Sequence, residues 1–365
     1  MIIKISRKMK KSDYKPGMFF LISLFLISSA LSAQELTKEF HEEYTAGAKT
    51  LEISNRYGDV TIQSWDKNQI VIDIKVTVEM PNREKAQRLL DLINVQFSES
   101  DNTISAKTVI DDKFNFSGWG DSRRFTINYN INMPVGTDLS LINKYGNTDI
   151  DELHGLVTLD IKYGNINAGK LTRGNIKPLS KLNLAYGKGT IDETGWLDLT
   201  ERYVGSMEIT KSKAILLDSK YSKLIIGETS SIVGESKYDN IRIENINNLV
   251  LENGYSEVNI VELTKKLTYN GSYGSFSIDR VTMGFESLDV ETRYMGVKLG
   301  IEESASYQLD AKVTYGGLKY NEDNFKNQRR IVENNSNEVS GTVGNEDNPS
   351  SRVHVLSSYG TVRLN

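Results

Sequence analysis

The chain has 365 residues, no cysteine, three histidines and a formal net charge of −4. Without thiols there can be no disulfide staples, no thiolate metal site and no lipidated-cysteine anchor, so a lipoprotein is not expected. The first 33 residues hold six basic residues and one acid, which leaves about −9 on the remainder and speaks against a nucleic-acid partner.

Residues 1–33 read as a signal peptide. Lys4, Arg7, Lys8, Lys10, Lys11 and Lys15 make a basic start, Met18 to Ala30 is an apolar run too short for a typical membrane span, and the small residues Ala30, Ser32 and Ala33 precede Gln34. The expectation is export through the inner membrane to the periplasm, cell surface or medium, with no transmembrane segment in the mature chain.

Residues 34–65 read as a first coil of a repeat. Residues 66–137 read as an α+β insertion that caps it. There Ile72, Ile74, Val76, Val78 and Met80 alternate as a strand. Pro81-Asn82 opens a helix with Ala86, Leu89, Leu90 and Ile93 on one face, and Ile104–Ile110 and Phe125–Met133 are further strands. Residues 111–122 are expected as a flexible loop. Residues 138–320 carry the repeats, 321–350 form a polar loop rich in Asn and Glu, and 351–365 return as a final coil.

The repeat is marked by tyrosine. Tyr186, Tyr203, Tyr221, Tyr238, Tyr255 and Tyr273 follow one another at 17 or 18 residues, and Tyr57, Tyr145, Tyr163, Tyr294, Tyr315 and Tyr359 sit in the same phrase at looser spacing. Numbered from the tyrosine, positions −6, −4, +3 and +5 are mostly Leu, Ile or Val, as in Leu197, Leu199, Leu224 and Ile226. Pairs two apart are strand alternation, so each phrase holds two short strands on either side of a turn. After Tyr203 the pair slips to Met207 and Ile209, which reads as a bulge. Position +1 is glycine in seven phrases, which suggests a corner with positive φ. A fixed period of this size predicts an all-β stacked architecture, a β-solenoid (β-helix) of 17–18-residue coils with the small α+β insertion near its start.

Three stretches carry a resemblance. LEISNRYGDVTIQSWDKNQIVIDI surrounds Tyr57, MPVGTDLSLINKYGNTDIDELHGLVTLDIKYGNI surrounds Tyr145 and Tyr163, and SSYGTVRLN closes the chain. Together they resemble the bacterial putative-adhesin β-strand-repeat family, a domain of unknown function in secreted envelope proteins, across residues 35–365. The resemblance implies a right-handed β-solenoid and an adhesin-like role, and it brings no catalytic residue. Phrases with Val204, Ser222, Asp239 and Ser256 at +1 depart from the Tyr-Gly pattern.

Chemistry is sparse. His41, His154 and His354 stand in no metal or triad context, no phosphate-binding loop joins a strand to a helix, and no cofactor is expected. Asp151, Asp192, Glu244 and Asp279 recur at +6. They would serve a polysaccharide-processing enzyme if two stacked on neighbouring coils, but turn residues are the plainer reading. The twelve tyrosines form a structural ladder, a binding strip for sugars, or half of each, with the ring packed and the hydroxyl at the surface. Basic residues at −1 face acids at −3, as in Asp160/Lys162, Asp218/Lys220, Glu235/Lys237 and Glu291/Arg293, so an acidic polymer is not required. If −1 and −3 face out, alternation puts the tyrosine with the leucines, which favours the structural ladder. The expected protein is a non-enzymatic envelope scaffold whose partner would be a glycan or an envelope protein.

Overall fold

The computed structural model describes residues 34–111 and 125–365. The expected signal peptide, and the expected loop beyond Asp111, lie outside them. The described chain is all-β apart from one short helix, and its 23 strands join in a single sheet.

It opens with β1 (Gln34–Thr45), β2 (Thr50–Arg56), β3 (Val60–Trp65) and β4 (Gln69–Met80). Helix α1 (Arg83–Asp91) follows; Asn82 caps it by accepting the Lys85 N–H, and Ala86, Leu89 and Leu90 are buried. Then come β5 (Ile93–Glu99), β6 (Thr103–Ile110) and β7 (Phe125–Pro134). β1 runs antiparallel to β4, β4 to β7, and β5 to β6, while β6 and β7 lie parallel to β2 and β3.

From here the pairing is parallel. β8 (Leu139–Lys144), β10 (Val157–Lys162) and β12 (Ser180–Ala185) stack on β2 in the ladder that precedes each tyrosine. β9 (Thr148–Leu153) and β11 (Ile166–Leu171) stack on β3 in the ladder that follows it. β13 (Lys188–Arg202), β14 (Ser206–Lys220) and β15 (Lys223–Lys237) span the end of one phrase and the start of the next, while β16 (Asn240–Val281) runs on through Tyr255 and Tyr273 and β17 (Ser287–Ile301) through Tyr294, so that all five serve both ladders. Each phrase thus adds one rung, in register with its neighbours. The apolar columns meet between the ladders: Leu197, Leu199, Leu224 and Ile226 are all buried. The slip after Tyr203 is absorbed by one extra residue around Gly205, so Met207 still faces Gly189 and Leu224.

The C-terminal end departs from the expected order. β18 (Tyr307–Thr314) and β19 (Gly317–Lys319) make the last rung, and a hairpin of β20 (Phe325–Glu333) and β21 (Ser336–Val343) continues antiparallel from β18. Residues 321–350 were expected as a loop; two strands occupy much of them. β22 (Arg352–Ser358) and β23 (Thr361–Leu364) do not terminate the stack. They insert in parallel between β17 and the β18–β19 rung. Any phrase can pair with any other because all present the same apolar columns, so chain order does not force rung order. At the first end both ladders, and at the C-terminal end the ladder before the tyrosine, pass to antiparallel strands, which pairs edges that would otherwise lie open.

Candidate functional site: the tyrosine column

All twelve phrase tyrosines have positive φ, between 54° and 67°. This corrects the expectation that glycine carries the turn, since among the +1 glycines only Gly274 has positive φ. The left-handed residue also ends the two-residue alternation. Side chains at −4 and −6 point inward, but the tyrosine turns outward: the rings from Tyr145 to Tyr359 are 38–54% exposed. The expectation that tyrosine sits with the leucines fails for that reason.

Glycine at +1 answers a different need. A Cβ on Gly146 would lie 1.8 Å from the Gly58 carbonyl oxygen, and one on Gly164 would lie 1.8 Å from that of Gly146. The rungs approach too closely there for any side chain. The corner itself is well paired: Tyr145 donates its N–H to the Lys162 carbonyl at 3.0 Å, Tyr221 to Lys237 at 3.0 Å and Tyr238 to Gly254 at 2.9 Å.

The rings form one continuous stack. Neighbouring centroids are 4.6–5.2 Å apart and the planes within 14° of parallel, in the order Tyr57, Tyr145, Tyr163, Tyr186, Tyr203, Tyr221, Tyr238, Tyr255, Tyr273, Tyr294, Tyr359, Tyr315. At ~4.8 Å per strand, twelve rungs run on the order of 50 Å. Phe125 packs edge-on against Tyr57 at the first end. Each interior ring has both faces covered by its neighbours, so no sugar ring can lie on them. The column instead offers ring edges and a row of hydroxyls.

Beside the column a shallow groove of about 900 Å³ runs past Tyr221, Tyr238 and Tyr255, with Ser222, Asp239 and Ser256 among its lining. These +1 side chains link the rungs. Ser222 Oγ accepts the Val204 N–H at 3.1 Å, Asp239 Oδ1 accepts the Ser222 N–H at 2.7 Å, and Ser256 Oγ accepts the Asp239 N–H at 3.0 Å. Beneath them, Glu201 is fully buried. Ser219 donates to its Oε2 at 3.1 Å, and its Oε1 has no hydrogen-bond partner among the described residues. Burial pushes its carboxyl up to about 8, and nearby Asp239 adds to the rise. Asp239 is itself raised, chiefly by burial. Sequence reading passed over Glu201 because a lone Glu at −2 resembles any strand residue.

The charge pairs form only in part. Lys162 meets Asp160 at 3.3 Å, but Asp218 is taken by Arg202 of the neighbouring rung, and Arg293 lies over the Tyr294 ring at 5.2 Å. The +6 carboxylates never occupy adjacent rungs. Gly169 lies between Asp151 and Asp192, and Thr210 and Gly227 precede Glu244. Glu244 bonds Arg242 and Asp279 bonds Lys298. The histidines lie in three separate surface contacts, with Asp73 and Glu43, with Glu152, and with Asp310.

The sequence matches no protein-family profile and no curated protein. It is similar in structure to a putative cell adhesion protein from Clostridium sporogenes (12% identity, 90% of this chain and 99% of that one, TM-score 0.20). It is also similar to a putative adhesin (11%, 90% and 97%, TM-score 0.28) and a putative lipid binding protein (10%, 90% and 97%, TM-score 0.32), both from Parabacteroides distasonis. Among the described residues no helix is long and apolar enough to cross a membrane.

Proposed function

We propose that the chain is an exported, non-enzymatic β-solenoid of the cell envelope that works as an adhesin-like binding or scaffolding rod. Residues 34–65, 138–320 and 351–365 would supply its coils and residues 66–137 its cap. The observation that carries the reading is the unbroken stack of twelve tyrosines, eleven of them with exposed edges. A rigid row of identical hydroxyls at strand spacing suits a partner that repeats along its own length, a glycan polymer or an envelope protein, with many weak contacts in parallel. Export rests on the basic start and apolar run of residues 1–33. An enzyme built on stacked carboxylates would need a neighbouring pair at +6, and Asp151 and Asp192 stand two rungs apart.

The test pairs a glycan array and an envelope-protein pull-down with a reducing-sugar assay. A variant with Phe at positions 186, 203, 221 and 238 keeps the stack and removes four hydroxyls. The expected result is binding without turnover, weakened at least about tenfold in the variant, with little change in melting temperature. Turnover of any polymer sinks the scaffold reading, and unchanged binding by the variant takes the column out of the site.

A further inference from the structure

The C-terminal end of the stack holds a cavity of about 270 Å³. It exists because the two ladders end differently. The ladder before the tyrosine continues past β18 into β21 and β20, while the other stops at the three-residue β19. One wall outreaches the other, and the interior of the last rung is left partly open.

Three aromatic residues and three carboxylates line this space. Tyr320 and Phe325 meet edge to face at 5.5 Å, and Tyr307 leans on Phe285 at 5.9 Å. Tyr307 is only 8% exposed, and its hydroxyl has no hydrogen-bond partner among the described residues. Its burial pushes that hydroxyl up to about 12, so it stays a neutral donor. Glu302, Glu303 and Asp323 also line the space, and none has an ion-pair partner among the described residues. Glu302 accepts the Met283 N–H at 2.9 Å. Among the described residues no lysine or arginine lines the cavity. Two of the three cations of β20 are engaged elsewhere, Lys326 with Asp347 and Arg330 with Glu322, and Arg329 is exposed and does not line the cavity.

We propose that this end cavity binds a small methylated ammonium cation. Ring faces attract a cation that sheds its water easily, and methylated nitrogen sheds it more easily than a primary ammonium. The three uncompensated carboxylates supply the counter-charge. A neutral apolar guest would cover those carboxylates without pairing them, which is unfavourable. The site is separate from the tyrosine column and does not depend on the role given to it.

The experiment titrates the full chain with choline and, in parallel, with 3,3-dimethylbutan-1-ol, which has the same shape and no charge. Calorimetry should show choline binding at least about tenfold tighter than the alcohol. Asp323→Asn and Glu303→Gln change exposed side chains, should leave the melting temperature alone, and should each weaken choline severalfold. Phe325→Leu should do the same by removing a ring; if it unfolds the hairpin, the two carboxylate variants decide. Equal affinity for both probes, no choline binding at millimolar concentration, or carboxylate variants that bind as well as the parent overturns the site.

Discussion

Two groups of rungs build the same corner by different means. Around Tyr145 and Tyr163 the residue after the tyrosine is glycine, pressed against the carbonyl of the adjacent rung. From Tyr203 to Tyr255 it is Val204, Ser222, Asp239 and Ser256, all buried, three of them bonded to a neighbouring rung's N–H. The tyrosine keeps its left-handed backbone in both groups. So the tyrosine defines the corner, and the next residue only fills whatever space the rungs leave. The glycine corners gain close approach, while the central ones gain side-chain bonds and accept buried acid.

The largest break in this comparison is expected at the glycine corners. Gly164→Ala puts a Cβ where the Gly146 carbonyl oxygen stands, 1.8 Å away, and backbone must move. A loss on the order of 3–5 kcal/mol is expected in urea unfolding, the range of severe backbone and packing defects. A loss under about 1 kcal/mol would mean that the backbone at Gly164 shifts easily enough to admit a side chain, as the corner at Ser222 does.

The central rungs should show their cost in pH dependence. Glu201 titrates near 8 when folded, against an ordinary 4.5. The folded state therefore holds a proton that the unfolded chain has released. Its contribution to stability is fully present below about pH 4.5 and is lost as pH rises to 8. Between pH 5 and 8 this amounts to roughly 3–4 kcal/mol as an upper figure. Asp239, also raised by burial, acts in the same sense. Glu201→Gln should flatten most of that slope in melts taken across the range. An unchanged slope would place the acid elsewhere.

Much of this fold was legible in the sequence, and the losses have identifiable causes. Columns such as Leu197/Leu199 and Leu224/Ile226 alternate cleanly because one face of each strand is buried. The outward turn of the tyrosine was illegible, since alternation cannot be carried through a left-handed residue. β20 was missed because the hairpin leaves it mostly exposed and its residues show no apolar alternation. In β1, Leu36, Phe40 and Tyr44 share their face with Lys38 and Glu42, so the strand hides behind a helix-like spacing. The end cavity draws on residues scattered from Ile301 to Asn365, and no motif unites them.

A smaller effect separates the two kinds of corner bond. Ser222→Ala leaves the buried Val204 N–H without its acceptor, and about 1–2 kcal/mol should be lost in thermal unfolding. Ser222→Gly imitates the Tyr-Gly corners. If it restores the parent's stability, the corner takes glycine there as it does after Tyr145, and the serine bond is dispensable. If it is worse than alanine, the corner there depends on a side chain after the tyrosine.

The finest test divides the tyrosine's own contribution. A half-buried ring gains about 2 kcal/mol from covered area and about 1 kcal/mol from its stacked neighbours, and its left-handed backbone costs about 1 kcal/mol. Tyr238→Ser removes the gains and keeps the cost, whereas Tyr238→Gly removes both. Glycine should therefore be the milder substitution by about 1 kcal/mol, the reverse of what helix or strand propensity predicts. Equal losses would show that the corner carries no strain, and that tyrosine sits there by side chain alone. The same pair at position 163, where Gly164 follows the tyrosine, should give the same difference, because the left-handed turn is common to both groups of rungs.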